Sequence, residues 1–190
     1  MVDAIEERVV LVDEFDQEMG TLGKLEAHVE GKLHRAISVF LFNDAGEMLL
    51  QQRALSKYHS GGLWSNACCS HPRPGELPLD AAERRLFEEM GIHCELEKVL
   101  EFTYRAVLDQ GLTEHEFDHV FVGRFNAEPR PRPEEVCAWK WIDAETLEKE
   151  AASNPENYTA WFKIVLKQIL SQFPRPAELC AQGGEVIPSQ

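Results

Sequence analysis

The stretch from Ser70 to Ile92, SHPRPGELPLDAAERRLFEEMGI, constrains this chain more than any other. Pro72, Pro74 and Gly75 make its first part a loop, and from Leu79 to Met90 apolar residues recur at helical spacing. Pro78 suits the first helical turn, where a missing N–H costs nothing, and Gly91 suits a left-handed stop. The spacing therefore predicts a helix over Pro78 to Met90. Arg85 and Glu89 stand one turn apart on its face, so a guanidinium and a carboxylate point the same way. Taken alone, ERRLFEEM reads equally well as a solvated face laced with ion pairs.

What surrounds that helix is mostly strand. Arg8 to Asp13 is an opening β segment, followed by a polar turn around Met19-Gly20. Ala36 to Asn43 and Glu47 to Gln52 are apolar runs on either side of an Asn43-Asp44-Ala45-Gly46 turn, the pattern of a hairpin. Further strands are expected at Trp64 to Cys69, Glu97 to Ala106, Phe117 to Phe125 and Ala138 to Ile142. Two helices follow, about Ala144 to Ala151 and Tyr158 to Phe173, the second burying Trp161, Ile164, Val165 and Ile169. Many strands among few helices favour an α+β sandwich over a doubly wound sheet. The 190 residues suit a single domain, residues 1–173, with a Pro- and Gly-containing tail over 174–190.

The balance of charge narrows the function. A formal net charge of −14 repels a phosphate backbone over most of the surface, so no nucleic-acid partner is expected and any phosphate site must be a local basic pocket. No apolar run is long enough to span a bilayer, and the first residues, MVDAIEERVVLVDEF, lack the features of a signal peptide. Five irregularly spaced cysteines with no CxxC pair read as reduced thiols, which places the protein in the cytoplasm.

The Ser70 to Ile92 stretch resembles the Nudix box, with Glu76, Arg84, Glu88, Glu89 and Gly91 on its positions. Two residues depart from it: Ser70 replaces the leading glycine, and Arg85 replaces a glutamate that gathers magnesium in Nudix hydrolases. Losing that oxygen ligand and gaining a cation disfavours hydrolysis while leaving diphosphate binding possible. From about His28 to Trp161 the chain resembles type 1 isopentenyl-diphosphate isomerase. The resemblance is carried by His28 and His34, Gln52 to Lys57 (QRALSK), Leu63 to Pro72 (LWSNACCSHP), Tyr104-Arg105 and Glu114-His115-Glu116. In that family the box itself has an arginine at the Arg85 position.

That resemblance implies a Nudix-type α/β/α sandwich with a mixed β-sheet, and an isomerase that moves a double bond between isopentenyl and dimethylallyl diphosphate through a carbocation. It implies Cys69, Glu116 and Tyr104 as proton-handling residues, with Trp161 as the electron-rich face beneath the cation. Lys24, Arg53, Lys57 and Arg85 match the cations that hold the diphosphate. His28, His34, His71, Glu114 and Glu116 match the ligands of a divalent metal, Mn2+, Mg2+ or Zn2+, and the Cys69 carbonyl with Glu89 match those of a substrate-associated Mg2+. His59, His93, His115 and His119 are expected to be ordinary surface or core histidines, and the chain a monomer or homodimer. The competing readings are a Nudix diphosphate hydrolase and a non-catalytic metal-binding or ligand-binding domain.

Overall fold

A computed structural model describes residues 7–172, so the expected tail over 174–190 lies outside the described residues. The elements begin β1 (Arg8–Val12), β2 (Glu18–Gly23), α1 (Lys24–Glu30), β3 (His34–Phe42) and β4 (Met48–Arg53). They continue β5 (Trp64–Ser65), β6 (Cys68–Ser70), α2 (Pro78–Met90), β7 (Leu96–Val107) and β8 (Thr113–Arg124), then β9 (Val136–Ile142), α3 (Ala144–Ser153) and α4 (Ala160–Gln172). The fold is the expected α+β sandwich around one mixed sheet. No helix among the described residues is long and apolar enough to cross a membrane.

β3 organises the sheet. Along one edge it pairs parallel with β8 over its whole length, from His34 opposite Glu116 to Phe42 opposite Arg124. Along the other it meets β1 at its start, antiparallel β6 in its middle and β4 at its end. The expected hairpin is therefore only partly right. The Asn43 to Gly46 turn forms, but the two strands share one pair, Phe42 with Met48, and β4 leaves to pair with β5 and β9. Apolar residues on both faces suit two interior strands that each need partners on both edges, which a simple hairpin does not supply. Two other expectations are corrected. Met19-Gly20 lies inside β2, and the turn is made earlier by Asp13, whose carboxylate accepts from Phe15 N and Gln17 N at 2.9 Å each. Trp64 to Cys69 is two short strands, interrupted where Asn66 bonds the backbone of Val39 and Cys68.

Alternation along β3 assigns the two faces. Ile37, Val39 and Leu41 join Cys68, Leu86 and Met90 in a core beneath α2, whereas Phe40 joins Leu50, Val120, Phe162 and Ile169 beneath α4. Ile164, expected in that second core, stays 47 % exposed because it falls outside the stripe of Trp161, Val165 and Ile169. The α2 boundaries match the sequence expectation, and its end is fixed by Gly91, at φ 66°: a Cβ there would lie 2.7 Å from Arg130 O. The start of α4 is pinned to β5, where Thr159 N donates to Trp64 O at 3.0 Å and the two hydroxyls of Thr159 and Ser65 meet at 3.0 Å. This contact fixes the chain two residues before Trp161.

Candidate active site

The two strands flanking β3 deliver chemistry from opposite sides. β6 places Cys69 beside Ser38, and β8 places Glu116 beside His34. Period-two alternation puts Glu114, Glu116 and Asp118 on one face of β8, and Tyr104 of β7 stands in register with Glu116. Cys69, Tyr104, Glu114, Glu116 and Trp161 all line one cavity.

Beside this cavity, His28, His34, His71 and Glu116 are buried with their ligand atoms within 4.8 Å of one another. His28 Nδ1 donates to Lys24 O at 2.7 Å and His34 Nδ1 donates to Lys32 O at 2.8 Å. Such bonds fix the tautomer and leave each Nε2 lone pair for a cation. His34 Nε2 and His71 Nε2 approach to 3.2 Å, and Glu116 Oε1 lies 3.5 and 3.0 Å from them. His28 Nε2 has no hydrogen-bond partner although it is fully buried. An orphaned nitrogen beside converging nitrogens and a carboxylate oxygen fits a divalent metal. Burial pushes His71 down to about 3 despite Glu116, so its imidazole stays neutral, the form that ligates. Burial raises Glu116, but the neighbouring His34 and His71 imidazoles outweigh it and hold the carboxyl well below the usual range. Glu114 stands apart from those four, grouped with His28 and His59. Burial and the nearby Glu116 charge raise its carboxyl.

Around the thiol, Cys69 Sγ donates to Asn66 Oδ1 at 2.9 Å. Both amide hydrogens of Asn66 are committed to Val39 O and Cys68 O, at 3.0 and 2.9 Å, so its oxygen must face the sulfur. Ser38 Oγ lies 3.5 Å from Sγ and donates to the buried Asp118 at 2.8 Å. Burial raises the Cys69 thiol. Tyr104 Oη lies 2.5 Å from Glu116 Oε2 and 3.1 Å from Glu114 Oε2.

Lys24, Arg53, Lys57 and Arg85 line the same cavity, forming the local basic pocket that an acidic chain needs for an anion. Each already touches a neighbour. Lys24 pairs with Glu7 at 3.0 Å and Lys57 with Glu135. The Arg53 guanidinium lies 5.2 Å from the centroid of the Trp161 ring. Arg85 reaches Glu88 and Glu89 at 2.7 Å each and Glu135 at 3.5 Å, so it neutralises the box carboxylates next to it. Glu89 also accepts from Gln51 at 3.2 Å.

Glu7, His59, Asn66 and Asp118 are among the residues of this site not read as functional from sequence. Nothing local marks Glu7 or Asp118, whose partners are distant in the chain. Asn66 lies inside the quoted LWSNACCSHP run, and that was its only signal. His59 lines the cavity, edge-on to Trp161 at 6.0 Å and 5.9 Å from the His28 ring, so it is no ordinary surface residue. Burial, then Arg53, pushes it down to about 3. The other three histidines lie elsewhere: His93 stacks on Phe87 at 4.2 Å, His115 bonds Gly31 O at 3.1 Å and His119 meets Asp16 at 3.1 Å.

Comparison with known proteins shows the family and the fold. The NUDIX domain family matches residues 32–162. The chain is 51 % identical to isopentenyl-diphosphate Delta-isomerase 2 of Aromatoleum aromaticum, over 88 % of each chain. It is 48 % identical to isopentenyl-diphosphate Delta-isomerase of Serratia proteamaculans, over 93 % of this chain and 99 % of that protein. Among solved structures, DR0079 from Deinococcus radiodurans superposes with a TM-score of 0.71 at 20 % identity, over 89 % of this chain and all of that one. The MutT protein of Methanosarcina mazei Go1 gives 0.60 at 18 % identity, over 72 % and 91 %. At such identities these structures share the fold alone.

Proposed function

The chain belongs to the isopentenyl-diphosphate Delta-isomerases of the NUDIX family, and from that premise we propose how its own residues perform the isomerisation. It is an isomerase that converts isopentenyl diphosphate to dimethylallyl diphosphate. A proton is added to the terminal methylene carbon, the positive charge rests on the tertiary carbon, and a proton leaves the carbon on its other side. The bond to the diphosphate oxygen stays intact.

The observation that carries the assignment is the placement of Cys69 and Glu116 around one cavity, on strands that flank β3 from opposite edges, with Tyr104 of β7 bonded to Glu116. Proton addition and removal at two ends of a three-carbon unit call for two separate acid-base groups, and these are the two. Lys24, Arg53, Lys57 and Arg85 hold the diphosphate while the hydrocarbon end lies near Cys69, Glu116 and Trp161. The Trp161 ring already attracts the Arg53 guanidinium, so its surface suits a transient cation, an interaction of about 2 kcal/mol when desolvated. Excluding water there prevents capture of the cation as an alcohol.

His28, His34, His71 and Glu116, with Glu114, would hold a divalent metal, Mn2+, Mg2+ or Zn2+. The Cys69 carbonyl and Glu89 would hold a Mg2+ that arrives with the diphosphate. Bound there, such cations supply positive charge that steadies the carboxylates and the diphosphate. The protein acts in the cytoplasm as a monomer or homodimer.

Incubation with isopentenyl diphosphate and Mg2+ in heavy water tests this. Dimethylallyl diphosphate carrying deuterium, without phosphate release, is the expected product. Released phosphate with an unmoved double bond would return the chain to the hydrolases, which the Arg85 contacts to Glu88 and Glu89 argue against.

A further inference from the structure

Asn66 lies wholly buried in the break between β5 and β6, three residues before Cys69. A carboxamide can make four hydrogen bonds, and this one makes all of them. Its N–H groups donate to Val39 O at 3.0 Å and to Cys68 O at 2.9 Å. Its oxygen accepts from Ser65 Oγ at 3.1 Å and from Cys69 Sγ at 2.9 Å. Turning the amide over would set that oxygen against two backbone carbonyl oxygens, which have no hydrogen to give, so the orientation is fixed. The backbone therefore decides which atom of Asn66 faces the sulfur.

The two N–H bonds alone would account for a buried asparagine that closes a gap in the sheet. The oxygen does more, because a cysteine side chain turns about one bond and has three staggered positions. A 2.9 Å contact with a fixed oxygen selects one of them, and in that one Cys69 lines the cavity. Ser38, the partner of Cys69 in the pairing of β3 with β6, has its Oγ 3.5 Å from the same sulfur and is itself anchored on the buried Asp118 at 2.8 Å. The sulfur thus touches two groups that are each held by a third. Ser65 carries the chain of bonds onward, its Oγ meeting Thr159 Oγ1 at 3.0 Å, two residues before Trp161. Thiol and indole are tied to one hydrogen-bonded thread.

We propose that Asn66 is a positioning residue of the isomerisation, its carboxamide oxygen holding the Cys69 sulfur in the orientation that borders the cavity. The inference rests on reading Cys69 as an acid-base group. Asn66 is fully buried, so it acts through the sulfur and not on the substrate. Proton transfer requires the sulfur and the reacting carbon within reach, and a misplacement of about 1 Å costs on the order of 10²-fold in rate.

The test reads the infrared S–H stretching band of Cys69, assigned as the band that Cys69→Ala removes, beside steady-state kinetics. In wild type the band should lie at the lowered frequency of a thiol that donates a hydrogen bond. A band at the frequency of a free thiol overturns the proposal, and this reading needs no change at Asn66. Asn66→Ala should move the band to the free-thiol position and lower kcat by roughly 10²-fold with KM little changed. An unmoved band or an unchanged kcat overturns the proposal. Added to Cys69→Ala, the same substitution should cause no further loss of turnover, because a residue that acts through the sulfur has nothing left to hold. A further loss in that background makes Asn66 a structural residue and overturns the proposal as well. Near-normal turnover of Cys69→Ala by itself instead overturns the acid-base reading of Cys69, and this inference with it.

Discussion

Tyr104 Oη stands 2.5 Å from Glu116 Oε2, closer than any other side-chain oxygen contact of Tyr104. A phenol has one proton to give, and the shorter contact shows which carboxylate receives it. Tyr104→Phe removes that proton and leaves the packing in place. We expect kcat to fall by roughly 10²-fold with KM little changed, the size of one positioned acid-base contact. Steady-state kinetics check this, and an unchanged kcat would remove Tyr104 from the proton path.

In the proposed mechanism Cys69 and Glu116 serve opposite ends of the reacting unit, so neither substitutes for the other. Cys69→Ala and Glu116→Gln should each lower turnover by roughly 10⁴-fold or more while the diphosphate still binds, since its four cations are untouched. Calorimetric binding of the substrate beside a turnover assay separates the two effects. Near-normal turnover in either variant would contradict the assignment.

Arg85 contacts three carboxylates, Glu88, Glu89 and Glu135, and its side chain is only 17 % exposed. Burial lowers its affinity for a proton, but Glu89 and the other negative neighbours outweigh this and the guanidinium stays charged. Arg85→Ala takes the ion-pair partner from the buried Glu89, while Glu88 keeps Arg84 and Glu135 keeps Lys57. The loss should be about 2 kcal/mol, below that of breaking a fully buried pair. For a chain of this length that is a melting temperature lower by roughly 4–8 °C, accompanied by a raised KM.

Glu76 receives a two-point hydrogen bond from Arg84, at 2.6 and 2.7 Å, and this contact holds its carboxyl below the ordinary value of 4.5. A group whose folded value is depressed stabilises the fold above its unfolded value and loses that contribution as pH falls through the folded one. Wild type should therefore melt above Glu76→Gln at pH 7, and the gap should close as the pH drops toward 3. Thermal melts at both pH values check the sign; a gap that widens in acid would contradict it.

Much of this protein was legible from local pattern. The α2 boundaries, the positions of β7 to β9 and the existence of α3 and α4 follow from periodicity and from the Pro78 and Gly91 signals, which act within a few residues. The Asn43 to Gly46 turn was equally local, yet the departure of β4 from β3 was not. Strand partners are chosen by burial on both faces and by competition for edges, neither of which a short window records.

Residue types and their resemblance to a family determined the chemistry on offer: a thiol, acids, imidazoles, cations and an indole. Only the tertiary structure decided how they divide. Asn66 faces Cys69 because Val39 and Cys68 take its amide hydrogens, and Arg53 lies over Trp161 across more than a hundred residues. Glu114 and Glu116 share a strand face, as alternation requires, but fall into different donor groups because His59 and His71 approach from separate loops. Periodicity sets the direction in which a side chain leaves the backbone; which partner it meets is set by the packing of segments distant in sequence.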